Sequence, residues 1–142
     1  MGFITADDYT ALIRNEVKGI LLENYSETKL TGAEQMAISQ VKNYLSGKYD
    51  VNAIFNTEGE QRNSHIVMIV IDCALYHLYT STVPDRMPDT RANRYQDAID
   101  WLKAEKKSTS PSADLPLKKN ESGEALMGIK VSSKYRASNN RW

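Results

Sequence analysis

Cys73 and His77 stand four residues apart in HIVMIVIDCALYHLY, residues 65–79, a spacing that puts a thiol and an imidazole on one face of a helix. Such a pair suits two ligands of a zinc ion, or a thiol nucleophile beside its base. Zinc needs further ligands, and the chain has no second cysteine, no Cys-x-x-Cys and no His-x-x-x-His. A nucleophilic cysteine needs a stabilised thiolate, whereas a thiol inside an apolar helix behaves as a small hydrophobe. Packing is therefore the expected role of Cys73. Asp72 is more informative, because an ionised carboxylate in an apolar helix is costly unless it is paired. The segment RANRYQDAIDWLK (residues 91–103) offers Arg91 and Arg94, each able to donate two hydrogen bonds. A structural ion pair of Asp72 with Arg91 or Arg94 is expected rather than a catalytic acid, since no second carboxylate or histidine is placed to work with it. Glycine-rich phosphate loops, Gly-x-Ser-x-Gly elbows and zinc signatures are missing. No catalytic residue, no metal site and no cofactor is expected.

The elements that must position these residues read as helices. Thr5 with Asp8 fits an N-terminal capping arrangement, and Tyr9, Leu12, Ile13, Val17, Ile20 and Leu21 then recur at helical spacing. Thr31 with Glu34 resembles a second capping box, followed by a stripe of Ala33, Ala37, Val41, Tyr44, Leu45 and Lys48, and Gly47 stands where a helix commonly stops. DVNAIFNTEGE (residues 50–60) reads as a loop anchored by Val51, Ile54 and Phe55. The run from Ile66 to Tyr79 is too short and too polar for a membrane span and too long for a buried strand. A central helix buried nearly all round, with Ser64 as its cap, fits it. In the last amphipathic segment Pro88 suits a first turn, Ala92, Tyr95, Ala98, Ile99 and Leu102 line one side, and Trp101 borders the stripe at the core edge. The expected fold class is all-α: a compact bundle of about four helices, with an extended C-terminal tail.

Length and charge set the frame for that bundle. A chain of 142 residues suits one domain, and 41% hydrophobic with 25% charged residues is ordinary for a soluble protein. A single cysteine permits no intrachain disulfide, and MGFITADD lacks a secretory pattern and fits the myristoylation pattern only loosely, with Ala6 where Ser or Thr is wanted. An intracellular setting is expected. The formal net charge of 0 divides sharply: residues 1–105 hold 10 Lys/Arg against 15 Asp/Glu, and residues 106–142 hold 8 against 3. This separates a helical domain, 1–105, from an extended basic tail, 106–142, that is rich in Ser, Pro and Lys. Within the tail Ile129, Val131 and Ser133 alternate with Lys130, Ser132 and Lys134, the period of a short strand or hairpin that needs a partner segment or another subunit. The tail is expected to be dispensable for folding and required for assembly.

FITADDY (residues 3–9), AEQMAISQVKNYLSGKYDVNAIF (residues 33–55), the helix ending LYHLY, RANRYQDAIDWLK, the LP of the tail and the closing Trp142 together resemble the head-to-tail adaptor (connector) proteins of tailed bacteriophages, of the phage Mu type. The resemblance spans nearly the whole chain and rests on the order of several segments. It implies a non-enzymatic structural protein of the virion neck, present in the host cytoplasm during assembly. Its members form a homo-oligomeric ring, a dodecamer by that resemblance, beneath the portal protein, where they extend the DNA channel and meet a head-completion or tail-completion protein. Double-stranded DNA is then passing cargo, and no membrane is involved. An acidic body suits a channel wall, because clustered Lys and Arg would hold the phosphates. The assembly residues expected in the tail are Lys118, Lys119, Ile129, Val131, Tyr135, Arg136 and Trp142. The alternative is a small helical DNA-binding or regulatory protein, for which TRANRYQ (residues 90–96) comes nearest to a recognition helix.

Overall fold

In the computed structural model, which describes residues 3–20, 27–108 and 113–119, the chain forms helices α1 (Ala11–Ile20), α2 (Glu27–Leu45), α3 (Val51–Phe55), α4 (Ser64–Thr82) and α5 (Asp89–Lys107). The all-α class holds among these residues, with one short helix more than the expected four. Helix α4 is the centre. Ile66, Ile69, Val70, Cys73, Ala74, Leu75 and Leu78 are buried along it, so α2, α5 and α1 can pack on different sides of one helix. The stripe of α2 enters this core through Ala33, Ala37, Val41 and Leu45, and α5 contributes Ala98, Ile99 and Leu102. From the first segment come Phe3, Tyr9 and Val17. The side chains of Leu12 and Ile20, and all of Leu21, lie outside the described residues.

Several boundaries differ from the sequence reading, each for a local reason. Thr5 and Asp8 do form a capping box, but it closes the 3-10 turn Ala6–Asp8, and α1 starts later with Thr10 Oγ1 accepting from the Ile13 N–H at 3.3 Å. Thr31 and Glu34 do not cap anything; they lie inside α2, and Glu34 instead accepts from the Tyr9 hydroxyl. Asn63, not Ser64, caps α4, accepting from the His65 and Ile66 amides at 3.0 and 3.1 Å. Pro88 is the N-cap of α5 rather than a residue of its first turn. The segment read as a loop after Asp50 holds α3, with the Asp50 carboxylate accepting from the Ala53 N–H at 3.1 Å. Gly47 follows the end of α2 in a turn, as expected.

The largest difference concerns the start of the tail. The boundary after residue 105 falls inside α5, and residues 113–119 form a strap whose first part bends, the Leu115 N–H donating to the Ala113 carbonyl at 2.9 Å, and whose residues 116–118 pair with residues 48–50. The Asp50 N–H donates to the Pro116 carbonyl at 2.9 Å, the Lys118 N–H donates to the Lys48 carbonyl at 3.1 Å, and Tyr49 and Leu117 form an antiparallel bridge. Leu115 is buried in the core at 9% exposed. The expected domain boundary is therefore moved: the strap adds Leu115 to the apolar core and satisfies backbone groups of the α2–α3 turn, contacts that the expectation of a tail dispensable for folding did not include. The alternating segment 129–134 lies outside the described residues.

Candidate functional site

Asp72 is 5% exposed on α4, and Arg94 reaches it from α5 with both arms of its guanidinium, Nε to Oδ1 at 2.9 Å and Nη2 to Oδ2 at 3.0 Å. The Arg91 guanidinium stands 3.6 Å from Oδ1. Arg91 sits one turn earlier on α5 and is itself clamped by Glu16 of α1, Nε to Oε2 and Nη2 to Oε1, each at 2.9 Å. The Tyr79 hydroxyl donates to the same Glu16 oxygen at 2.6 Å. Glu16, Arg91, Asp72 and Arg94 thus form one alternating charge row that ties α1 and α5 to the apolar α4. Burial opposes ionisation of Glu16, but the bonds from Arg91 and Tyr79 outweigh it and hold its carboxyl below the ordinary carboxylate range. Bonds from Arg62 do the same for Asp8, which takes both arms of that guanidinium at 2.6 and 2.8 Å. Every carboxylate in this row faces a guanidinium or a tyrosine hydroxyl, an arrangement that fixes the relative placement of helices.

A second buried polar cluster anchors the strap. The Lys48 ammonium donates to the Glu105 carbonyl, the Tyr49 hydroxyl donates to Glu105 Oε1 at 2.6 Å, and the Ala113 N–H donates to the Tyr49 hydroxyl at 3.2 Å. Lys48, Tyr49 and Glu105 are all less than 9% exposed. Sequence reading placed Lys48 in an apolar stripe and did not pair it with Glu105, because a buried lysine capping a helix carbonyl 57 positions away has no periodic signature. Asn63 Nδ2 adds a bond to the Asp114 carbonyl at 3.2 Å, holding the strap to the N-terminal end of α4.

The remaining residues singled out from sequence do not converge. Cys73 is fully buried, and burial first, then the charge of Asp72, pushes its thiol up to about 12, so it is not a thiolate at neutral pH. His77 Nε2 donates to Gln40 Oε1 at 2.8 Å, the Gln40 amide donates to the Tyr95 hydroxyl at 2.9 Å, and burial holds the imidazole below its ordinary pKa. The two side chains therefore serve different packing environments. Trp101 is half-buried at the core edge, with the His65 ring edge-on at 4.6 Å. Among the described residues no group of three or more His, Cys, Asp or Glu could hold a metal ion, and no helix is long and apolar enough to cross a membrane. Of the tail residues, Lys118 and Lys119 are exposed on the strap, while Ile129, Val131, Tyr135, Arg136 and Trp142 lie outside the described residues. No protein-family model, no curated protein and no solved structure matches the chain.

Proposed function

We propose that this chain is a head-to-tail adaptor of a tailed bacteriophage, a structural protein that forms a homo-oligomeric ring under the portal protein and extends the DNA channel of the virion neck. The observation that carries the reading is the anchored root of the C-terminal arm. The strap pins residues 113–119 to the helical body, and the 23 residues that follow Lys119 in the sequence carry Lys130, Lys134, Arg136 and Arg141 against Glu121 and Glu124. A subunit that must reach a neighbour or the portal needs both parts: a body whose helices cannot slide, and an arm whose point of departure is fixed. The charge row supplies the first and the Lys48–Tyr49–Glu105 cluster the second. The acidic excess of residues 1–105 suits a wall past which DNA slides, and the basic arm suits encounter with an acidic partner.

The DNA-binding alternative fares worse on the same geometry. TRANRYQ, the stretch that would enter a groove, commits Arg91 to Glu16 and Arg94 to Asp72, so its cations are already neutralised. Groove readout needs those donors free for base edges and phosphates. Gel shifts on random duplex DNA, run beside sedimentation with the portal protein that the adaptor reading requires in the same genome, separate the two. The adaptor reading expects co-sedimentation with the portal and no retarded DNA at physiological salt; retarded DNA without portal binding overturns it.

A further inference from the structure

Among the described residues only two large apolar side chains are exposed, Met36 on α2 at 58% and Met68 on α4 at 42%. Met68 stands at the common wall of two depressions that together make one furrow. The larger, about 850 Å³, opens toward α1 over Ile13, Val67 and Ile71, and the smaller, about 280 Å³, opens toward α5 over Ala98 and Trp101. No described residue of α2 lines either one, so the two methionines belong to different faces. The furrow is apolar along its floor and electrically satisfied along its walls, because Asp8, Glu16 and Asp72 are paired with Arg62, Arg91 and Arg94, while Asp97 faces water at the rim. Met36, by contrast, projects. The exposed residues of α2 around it are Thr31, Gly32, Gln35, Ser39 and Asn43, none of them charged. Gly32, one turn before Met36, has open space about it, and the Lys42 ammonium is drawn aside over the Phe55 ring at 5.6 Å.

We propose that the furrow of one molecule receives the Met36 face of α2 from a second copy of this chain, a head-to-tail contact in which each molecule offers one knob and one socket. Charge selects the occupant. The furrow's buried carboxylates already have their cations, so a face bearing a free charge would bury it without a partner, a cost that a neutral face avoids. The outward face of α1 carries exposed Arg14 and Lys18, and that of α5 carries Asp97, Asp100 and Lys103. Outside the furrow, the α2 face alone among the described helices joins an exposed large apolar side chain to charge-free surroundings. Shape points the same way. Furrow against furrow would leave a void, whereas a projecting methionine, unbranched and adaptable, fills one. A contact between two different faces propagates from copy to copy and closes into a ring when the rotation between them permits. The inference names the subunit contact of the proposed ring and rests on the reading of this chain as a homo-oligomeric subunit.

The test mixes two full-length chains. One carries a nitroxide on Ser39→Cys, an exposed position one turn from Met36, and the other is methyl-labelled at methionine and isoleucine for NMR. Cys73 takes no nitroxide because it is buried with its thiol protonated. The mixture is held at a concentration on the order of millimolar, enough to populate a contact with a millimolar Kd. The expected result is a several-fold loss of the Met68 and Ile71 methyl signals, restored when the nitroxide is reduced, with the Met36 signal of the labelled chain kept. Met36→Asp on the nitroxide-bearing chain should return Met68 to full intensity. Met68 unaffected, Met68 and Met36 affected alike, Met36 affected alone as in a face-to-face α2 contact, or Met68 still lost with Met36→Asp each overturns the proposal. Sedimentation with the portal reports separately on the adaptor reading. Portal binding without the Met68 effect means a ring built through other faces, and the Met68 effect without portal binding means self-association outside a virion.

Discussion

Removing either partner of the Asp72–Arg94 pair should destabilise the fold, and the arginine variant should be the worse of the two. The asymmetry follows from burial. Asp72 has a side chain only 7% exposed, whereas the Arg94 side chain is 44% exposed. In Asp72→Ala the guanidinium of Arg94 can turn into water and Arg91 keeps both bonds to Glu16, so the loss is that of charge-assisted hydrogen bonds, about 1–3 kcal/mol. In Arg94→Ala a buried carboxylate remains with only the 3.6 Å approach of Arg91, and an uncompensated buried charge costs about 3–5 kcal/mol. The Asp72→Ala/Arg94→Ala double variant should then lie close to Asp72→Ala alone, since Arg94 has little left to do. Urea melts of the four proteins at neutral pH, analysed as a double-mutant cycle, read all of these values. The reasoning fails if Arg94→Ala costs no more than Asp72→Ala, or if both lie within about 0.5 kcal/mol of the parent as ordinary surface changes do.

Truncation after Glu105 should lower stability by about 1.5–3 kcal/mol or more, the amount expected for withdrawing Leu115 from the core, read as a fall in the urea midpoint. Tyr49→Phe should cost about 1–3 kcal/mol by removing the donor to buried Glu105 Oε1, and hydrogen exchange at Ala113, whose amide loses its acceptor, should accelerate. Fluorescence of the Trp142→Phe variant should show Trp101 emission blue-shifted from that of free tryptophan in water; emission identical to the free indole would place the ring on the surface. On acidification, stability should start to fall as the pH drops through 6.5, where His77 with its lowered folded pKa must be charged on cost, and should fall further through the lowered folded pKa values of Glu16 and Asp8 from their ordinary 4.5 and 3.8. Glu34, raised by burial from 4.5, has the opposite sign, so its contribution is present at low pH and lost on going up; Glu34→Gln should remove that loss in urea melts at stepped pH.

What the sequence revealed and what it hid divide along the range of the interactions. The all-round apolar run from Ile66 to Tyr79 fits a central helix, and a lone Asp72 inside it needs a cation, so α4 and a pair with Arg91 or Arg94 were legible, while the choice of Arg94 for the bidentate bond was not. Glu16 was not, because its bond to Arg91 joins two helices 75 positions apart and an exposed-looking Glu on α1 carries no pattern. Thr31 and Glu34 misled because a capping-box spacing also occurs inside a helix, and helix α2 began at Glu27 before reaching it. Val51–Phe55 is too short to show a helical period, so only the Asp50 cap marks it. The strap was hidden by its own composition: Leu115-Pro116-Leu117 has too few apolar residues to build a core, but enough to complete one that α2 and α5 leave open beside Tyr49. Its hydrogen bonds to residues 48–50 are tertiary contacts that no local rule encodes.

The most direct test of the adaptor reading is cryo-electron microscopy of the full chain mixed with the portal protein that this reading requires in the same genome. The account predicts a ring of copies of this chain seated on the portal, with α1 to α5 forming the wall and residues beyond Lys119 reaching into the portal or a neighbouring copy. Portal particles without added density, beside unassociated molecules of this chain, would contradict it.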